Sequence, residues 1–480
     1  MTRSSIVIVG AGVSGLAAAW ELTGGAHGPS ENTPRVELIE ASDRVGGALA
    51  TTGFAGRTVD LGADGFLARR AEATTLCEEV GLQGELVAIA ARGASLWLRG
   101  ALRELPTGLV LGVPTDLGAL VRTGGLGVAA RMAAWRDYYL PRRYRVAADA
   151  TIGEIVRAKL GRGLAYQLVE PMIGGIQAGR IDELSAASVF PALLEGARRG
   201  GSLMRALAAH AAATPGPAAA AVADGPVFCT LTGGVGSLPR VLAERLRERG
   251  VVVRLNTPVS ALRPTKAEGY PWEVETAHTS TPASAVILAT PGAVTAALVG
   301  GYDPALRELG SVPVAGAGIV TFSLSRASQL PISGTGILVP LATPGPSGSS
   351  MLTTAVTFLD RKWPHLRRRD DTLVRAHVGR SDDLRWSQLS DDELRDRVAE
   401  ELSVLLPQRG EVLDSLVQRW PEALTQYTVG HLSRVERARD AASALSLRLA
   451  GAAYDGVGVP ASIGSGRRAG REVLFEVIGP

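Results

Sequence analysis

Near the start of the chain, Gly10-Ala11-Gly12-Val13-Ser14-Gly15 has the G-x-G-x-x-G spacing that brings backbone atoms against a diphosphate. Gly10 permits the tight turn, Gly12 clears a path for the pyrophosphate, and Gly15 lets a helix pack close to a strand. A helix opening at Val13 would turn unpaired N–H groups and the positive end of its dipole toward the phosphates. Glu40 then closes a second apolar segment, where a carboxylate accepts ribose hydroxyls; the polar loop 24–34 explains why it lies beyond the usual ~20 residues. Directly afterwards Ala41-Ser42-Asp43-Arg44-Val45-Gly46-Gly47-Ala48 turns the chain back, so that Arg44 and backbone approach the same phosphates, as an extended flavin dinucleotide requires. NAD is the competing cofactor. No second strand–GxGxxG–helix unit follows, because Gly233-Gly234-Val235-Gly236 is spaced differently. No separate nicotinamide site is therefore expected, and electrons would leave for oxygen or another acceptor.

The far end of the chain holds a second informative stretch. Leu449-Ala450-Gly451, then Gly456-Val457-Gly458-Val459-Pro460, reads as a strand, a glycine turn and a helix. A helix N-terminus aimed at a flavin pyrimidine would stabilise negative charge on the reduced ring. No strong acid/base pair stands out, which suits hydride removal from an activated carbon.

The elements that must position these groups follow from periodicity. Residues 6–9 and 36–39 read as buried strands and Val13–Leu22 as a helix. Helical periodicity dominates 115–210, with Asp182 and Ser185 as N-cap candidates and Pro171 and Pro191 as punctuation. Short strands are expected at 251–255, Trp272–Thr276, 285–289, 315–323, 336–339 and 351–358, and a helix at 391–406. A strand at 445–450 precedes a final helix from about Ala461. The fold class is α/β, α+β overall. It comprises a discontinuous Rossmann-like FAD-binding domain (1–68 with 228–300 and 440–480), a mixed-sheet substrate domain (69–105 with 301–439), a helical subdomain (106–210) and a flexible connector (211–227).

Composition excludes other classes. With 46% hydrophobic and 20% charged residues in 480, the chain is a globular protein of two or three domains. No apolar run reaches the ~18 residues of a spanning helix. The N-terminal apolar segment runs into the glycine motif and reads as a strand, not a signal peptide. Net charge is +3, lysine occurs only at Lys159, Lys266 and Lys362, and the arginines are scattered, which argues against nucleic acid. Cys77 and Cys229 give neither a metal-ligand spacing nor a disulfide framework, so no metal and a cytoplasmic location are expected.

Taken in order, GAGVSG, LIEASDRVGG, VDLGADGFLARR, LPTGLVLGVPTD, IGGIQAGRIDELS, LTGGVGSLPRVLAERL, AVILATPG, RKWPH, RWPEALTQYTVGH and GVGVPASIGSGRRAG span essentially the whole chain. In these motifs it resembles the protoporphyrinogen/coproporphyrinogen oxidase family of the flavin amine-oxidase superfamily. The resemblance implies non-covalent FAD. Its contacts would be Gly10 to Gly15, Glu40, Ala41, Arg44, Ala48, Gly62, Ala63, Asp64 and Gly65, with Val259 meeting the adenine through its backbone. Trp420 and the turn Val457-Gly458-Val459 would flank the isoalloxazine. The reaction implied is oxidation of a porphyrinogen to a porphyrin, with O2 returned as H2O2 and the product handed to a ferrochelatase.

For the substrate, an apolar disc edged with carboxylates, the resemblance points to Arg70 as a propionate fork and Ile176 as a pocket wall. Each has a structural alternative, a solvent-facing helix end for Arg70 and ordinary core packing for Ile176. Gln177 stands where an aromatic residue is expected and Leu424-Thr425 where a Met-Pro is, while His365 and His431 read as structural. Coproporphyrinogen III is the substrate expected, from overall resemblance and a high-GC, Gram-positive-looking composition. Protoporphyrinogen IX is the first alternative. An amine oxidase is a more distant one, poorly served by three lysines and by Tyr454 without a cage. A non-catalytic FAD-binding scaffold is the reading from another class. Apolar patches with arginines over 105–134 could rest on the inner face of a membrane or form a packed helical layer.

Overall fold

The computed structural model describes residues 4–91, 93–213, 226–325 and 334–478. Five parallel strands carry the first motif, in the spatial order Val252–Arg254, Arg35–Ile39, Ser5–Val9, Ala285–Leu288 and Leu447–Leu449. Covered on both faces, such strands read as unbroken apolar runs. Ile6, Ile8, Leu38 and Ile287 face the helices Val13–Leu22 and Val459–Ile478. Val7, Val9, Ile39 and Leu288 face the helix His431–Ala444 and a three-stranded antiparallel sheet, Val259–Pro264, Trp272–Thr276 and Ser280–Ala283.

The C-terminal helix begins at Val459, two residues before the position expected, because Pro460 is tolerated in a first helical turn that needs no N–H donor. It crosses the first helix at close range. A Cβ on Gly466 would collide with the carbonyl of Ser14, and one on Gly470 would come within 2.9 Å of the carbonyl of Ala18.

Seven strands form the second large sheet, ordered Val412–Thr425, Val314–Ser325, Asp371–Val378, Thr353–Phe358, Gly336–Leu338, Ser95–Leu98 and Ala101–Glu104. All neighbours are antiparallel except Gly336–Leu338 beside Ser95–Leu98, so the sheet is mixed as expected. Its back face, including Val320, Phe322, Val374 and Ala376, packs on Leu394, Val398, Leu402 and Leu405 of the helix Asp391–Leu405. Burying those four leucine-class side chains stabilises the layer by roughly 6–12 kcal/mol before entropy is counted. Strand Asp371–Val378 and the length of Val412–Thr425 go beyond the strands read from sequence.

From Leu117 to Ala213 the chain is mainly helical. Ser185 caps the helix Ala186–Val189, its Oγ accepting from Ser188 N at 3.0 Å. Asp182 does not cap a helix; its carboxylate binds the Arg157 guanidinium and accepts from Tyr166 Oη at 2.8 Å. Pro171 is not a break either: the chain passes through a wide π turn, Ala165–Val169, and Pro171 falls in the first turn of Glu170–Gln177. The segment expected as a connector begins as helix, since Leu203–Ala213 extends into it; 214–225 lie outside the described residues. No helix among the described residues is long and apolar enough to cross a membrane. The fold class is the α/β one expected.

Candidate active site

The three motif glycines meet three different surroundings. A Cβ on Gly10, whose φ is +100°, would come within 2.6 Å of the Ala289 carbonyl, and one on Gly15 would collide with the carbonyl of Gly10. A Cβ on Gly12 would meet nothing within 4 Å. Gly10 and Gly15 are thus required by the protein's own packing, whereas Gly12 borders open space at the helix N-terminus. That space suits a phosphate group.

Glu40 is fixed beside it. Its carboxylate accepts from Ala11 N at 2.7 Å, from Ser42 N at 2.9 Å and from Ser42 Oγ at 2.7 Å. Gly46 N donates to Ala11 O at 2.8 Å, which ties the returning turn to the first motif. Val259 is drawn in by its neighbours, as Asn256 N donates to Ser42 O and Thr257 N to Glu40 O at 2.8 and 2.9 Å. A register shift at the start of its strand separates its pairing from that of Ala261. Ala41, Gly47, Ala48, Ala63 and Gly458 are all exposed, so the surface linking these segments is lined by small residues.

Long-range contacts close the far side. Trp420 Nε1 donates to Leu61 O at 2.8 Å, and the Arg44 guanidinium lies 6.0 Å from the Trp420 ring while donating to Gly47 O at 2.7 Å. A Cβ on Gly62 would collide with the Ala48 carbonyl. Gly451 packs on Ser14 and its N–H donates to Ser465 Oγ at 2.8 Å, which brings the C-terminal turn to the first helix. Val457 is partly exposed and Gly458 exposed, but Val459 is a core side chain and offers the site only its backbone.

Asp64 departs from a simple contact role. Its carboxylate accepts from Lys362 Nζ at 2.9 and 3.0 Å and from Trp363 Nε1 at 3.1 Å, turning toward the seven-stranded sheet. Burial alone would raise its pKa, but Lys362 and Arg375 outweigh that and hold it ionised. Asp60 goes the other way: burial pushes it up to about 7 despite Arg375. Arg375 itself is buried and donates to the carbonyls of Asp60 and Gly62. Lys362, Trp363 and Arg375 therefore lock segment 57–65 onto the sheet, a role not read from sequence although RKWPH contains the first two.

Arg70 and Ile176 stand apart from this group. Arg70 is exposed and donates to Glu72 Oε1 at 2.9 Å, and Glu72 lies beside Gly464 in the C-terminal helix. Ile176 is 48% exposed, so it is not ordinary core. Gln177 is buried; its carbonyl accepts from Gln426 Nε2 at 2.8 Å. Leu424 and Thr425 pair with Ala315 and Val314 at one end of the long strand. Tyr454 is core and hydrogen-bonded to Thr295 at 2.8 Å. His431 is buried and stacked on Tyr427, in keeping with a structural role. No group of three or more histidine, cysteine, aspartate or glutamate side chains among the described residues could hold a metal ion.

The family profile of flavin-containing amine oxidoreductases matches residues 13–474. A coproporphyrinogen III oxidase of Bacillus subtilis (strain 168) is 31% identical over 476 residues, covering 98% of each chain. A protoporphyrinogen oxidase of Macaca fascicularis is 32% identical over 98% of each chain. A crystal structure from Exiguobacterium sp. 255-15, described as a protoporphyrinogen oxidase, superposes with a TM-score of 0.86 at 31% identity, over 99% of this chain and 100% of that one. The chain therefore belongs to the protoporphyrinogen/coproporphyrinogen oxidase family of the flavin-containing amine oxidoreductases, and is a flavin-dependent oxidoreductase.

Proposed function

We propose that the chain oxidises coproporphyrinogen III to coproporphyrin III with non-covalently held FAD, passing electrons to O2 to form H2O2, as a step of heme synthesis. The observation that carries this reading is the full-length likeness to coproporphyrinogen III oxidases. FAD would supply a hydride acceptor. The chain supplies the rest: Gly12 leaves room for the pyrophosphate, Glu40 accepts ribose hydroxyls, Arg44 beside Trp420 reaches toward the phosphates, Trp420 flanks the ring, and the turn at Gly458 leads into a helix dipole. The parallel-sheet unit holds the cofactor and the mixed sheet faces the substrate. Arg70 would exchange its exposed Glu72 partner for a propionate, and Ile176 would give up an exposed apolar face to the macrocycle.

Oxygen uptake and porphyrin fluorescence with the two porphyrinogens side by side test the reading. Faster turnover of coproporphyrinogen III is expected; a clear preference for protoporphyrinogen IX moves the substrate to the alternative. Arg70→Ala should raise KM more for the substrate with more carboxylates, and equal effects on both would remove Arg70 from the site.

A second reading concerns location, and rests on the helix Val128–Tyr139. It buries Ala130, Ala134 and Asp137 and turns Val128, Met132, Trp135 and Tyr139 outward, all on one face. Arg122, Arg142, Arg143 and Arg145 are exposed nearby in sequence. Such a face suits the anionic inner leaflet of a membrane, from which product would pass to a ferrochelatase. Flotation with anionic vesicles should recover the wild type but not Val128→Glu/Trp135→Glu; equal recovery of both would remove the surface from this role.

A further inference from the structure

We propose that His377 takes up the pyrrole proton released when a bridge carbon of the porphyrinogen is oxidised. The inference rests on the porphyrinogen-oxidase reading above and assigns its missing proton acceptor.

Alternate residues of strand Asp371–Val378 meet segment 57–62 in order. Asp371 binds Arg57, Leu373 packs with Val59, and Arg375 donates to the carbonyls of Asp60 and Gly62. Alternate residues share a face, so His377 is next in this row, about 7 Å beyond Arg375. Across the sheet it pairs with Ala355 on one side and Ile319 on the other, and Ile319 pairs with Gln418. The following row contains Trp420, which is bonded to Leu61. His377 thus stands between the two anchors that fix Leu61 and Gly62, on the sheet face turned toward the proposed flavin site. His377 as a residue is partly exposed, whereas Arg375 beside it is buried.

The surroundings keep the ring ready to accept. Burial, with Arg375 on its own strand and Lys362 on the facing helix, pushes its pKa down to about 4; Asp64 opposes them. Thr357 Oγ1, on the adjoining strand, lies 3.5 Å from Nε2. The ring is therefore neutral at neutral pH, and substrate carboxylates entering the site would raise its basicity. Each two-electron step takes one bridge hydrogen with its C–H electron pair as hydride, for which bound FAD would supply the acceptor. In two of the three steps the adjoining pyrrole N–H then breaks, its electron pair stays to form the new C=N bond, and the proton goes to Nε2; in the third the proton comes from the last bridge CH2, so that four bridge hydrogens and two N–H hydrogens leave in all. His377 returns that proton to water before the next step.

The test uses the flavin-loaded enzyme with coproporphyrinogen III, comparing wild type with His377→Gln, which keeps the size and polarity without the basicity, and with His377→Ala. His377→Gln should lower kcat on the order of 100-fold with KM and coproporphyrin affinity within threefold, and should lose the acid limb of the kcat profile. Imidazole should partly rescue His377→Ala. A readout free of turnover is the ring spectrum: with six histidines in the chain, the His377 Cε1–H signal is assignable by difference and should shift on adding coproporphyrin III. An unchanged kcat profile in His377→Gln, or a loss wholly in KM and porphyrin affinity, overturns the proposal. A wild type that oxidises neither porphyrinogen overturns the reading beneath it, and is thereby distinguished. Flavin content and Tm of each variant exclude misfolding as the cause.

Discussion

The proposed nucleotide end and the proposed substrate face of this molecule are built by opposite means. At the nucleotide end the site is backbone: glycines, small exposed alanines, a helix N-terminus and one carboxylate, Glu40, held by three hydrogen bonds. On the proposed substrate face it is side chains, set in rows on a seven-stranded sheet whose strands come from distant parts of the chain. A backbone site is specified by where side chains are missing, so nearly every position is intolerant. A side-chain site is specified by strand register, so single positions can change while the scaffold stands.

The largest effect should come where packing, not ligand, demands glycine. Gly15→Val drives a side chain into the Gly10 carbonyl and should abolish soluble yellow protein, read as flavin absorbance per mole of purified chain. Next comes the lock between the two regions. Lys362→Met removes the cation hydrogen-bonded to the Asp64 carboxylate and leaves only the more distant charge of Arg375, and urea unfolding should show a loss of about 3 kcal/mol, largely recovered in Lys362→Met/Asp64→Asn. Gly12→Val separates fold from ligand: no protein atom crowds that position, so the apoprotein should keep its Tm while flavin affinity falls at least 100-fold, about 3 kcal/mol. Equal damage from Gly12→Val and Gly15→Val would erase the distinction between them.

A smaller effect is expected from pH. Burial pushes His431 down to about 4, so the folded chain binds fewer protons than the unfolded one below the ordinary histidine value of 6.5. Stability from this residue is complete above pH 6.5 and is lost as pH falls toward 4. Denaturant titrations at pH 7 and 4.5 should show His431→Phe, which keeps the stack on Tyr427, losing roughly 2 kcal/mol less than wild type on acidification. Arg70→Ala should be the mildest. Its pair with Glu72 is exposed, and stability should change by less than about 0.5 kcal/mol.

The same contrast explains what could be read in advance. Residues 5–47 contain strand, turn, helix, second strand and carboxylate within one stretch, and each glycine has a local reason, so the cradle was legible. The helix at Val459 was misplaced by two residues because Pro460 reads equally as a terminator or as a first-turn residue. The row of Asp371, Leu373, Arg375 and His377 was missed. Apolar Val374, Ala376 and Val378 alternate with polar residues, the pattern of a half-buried strand, but the arginines preceding it hide the start. Asp64 shows the limit of motif transfer. The motif suggests a cofactor contact for it, yet the direction of its carboxylate is set by Lys362 and Trp363, which lie far along the chain.

The most direct test is anaerobic mixing of the purified yellow protein with coproporphyrinogen III while following the visible absorbance of the oxidised flavin. Rapid bleaching, recovery of the band on admitting oxygen and the appearance of porphyrin fluorescence are expected. A flavin that stays oxidised with both porphyrinogens but bleaches with a primary amine would contradict the porphyrinogen assignment.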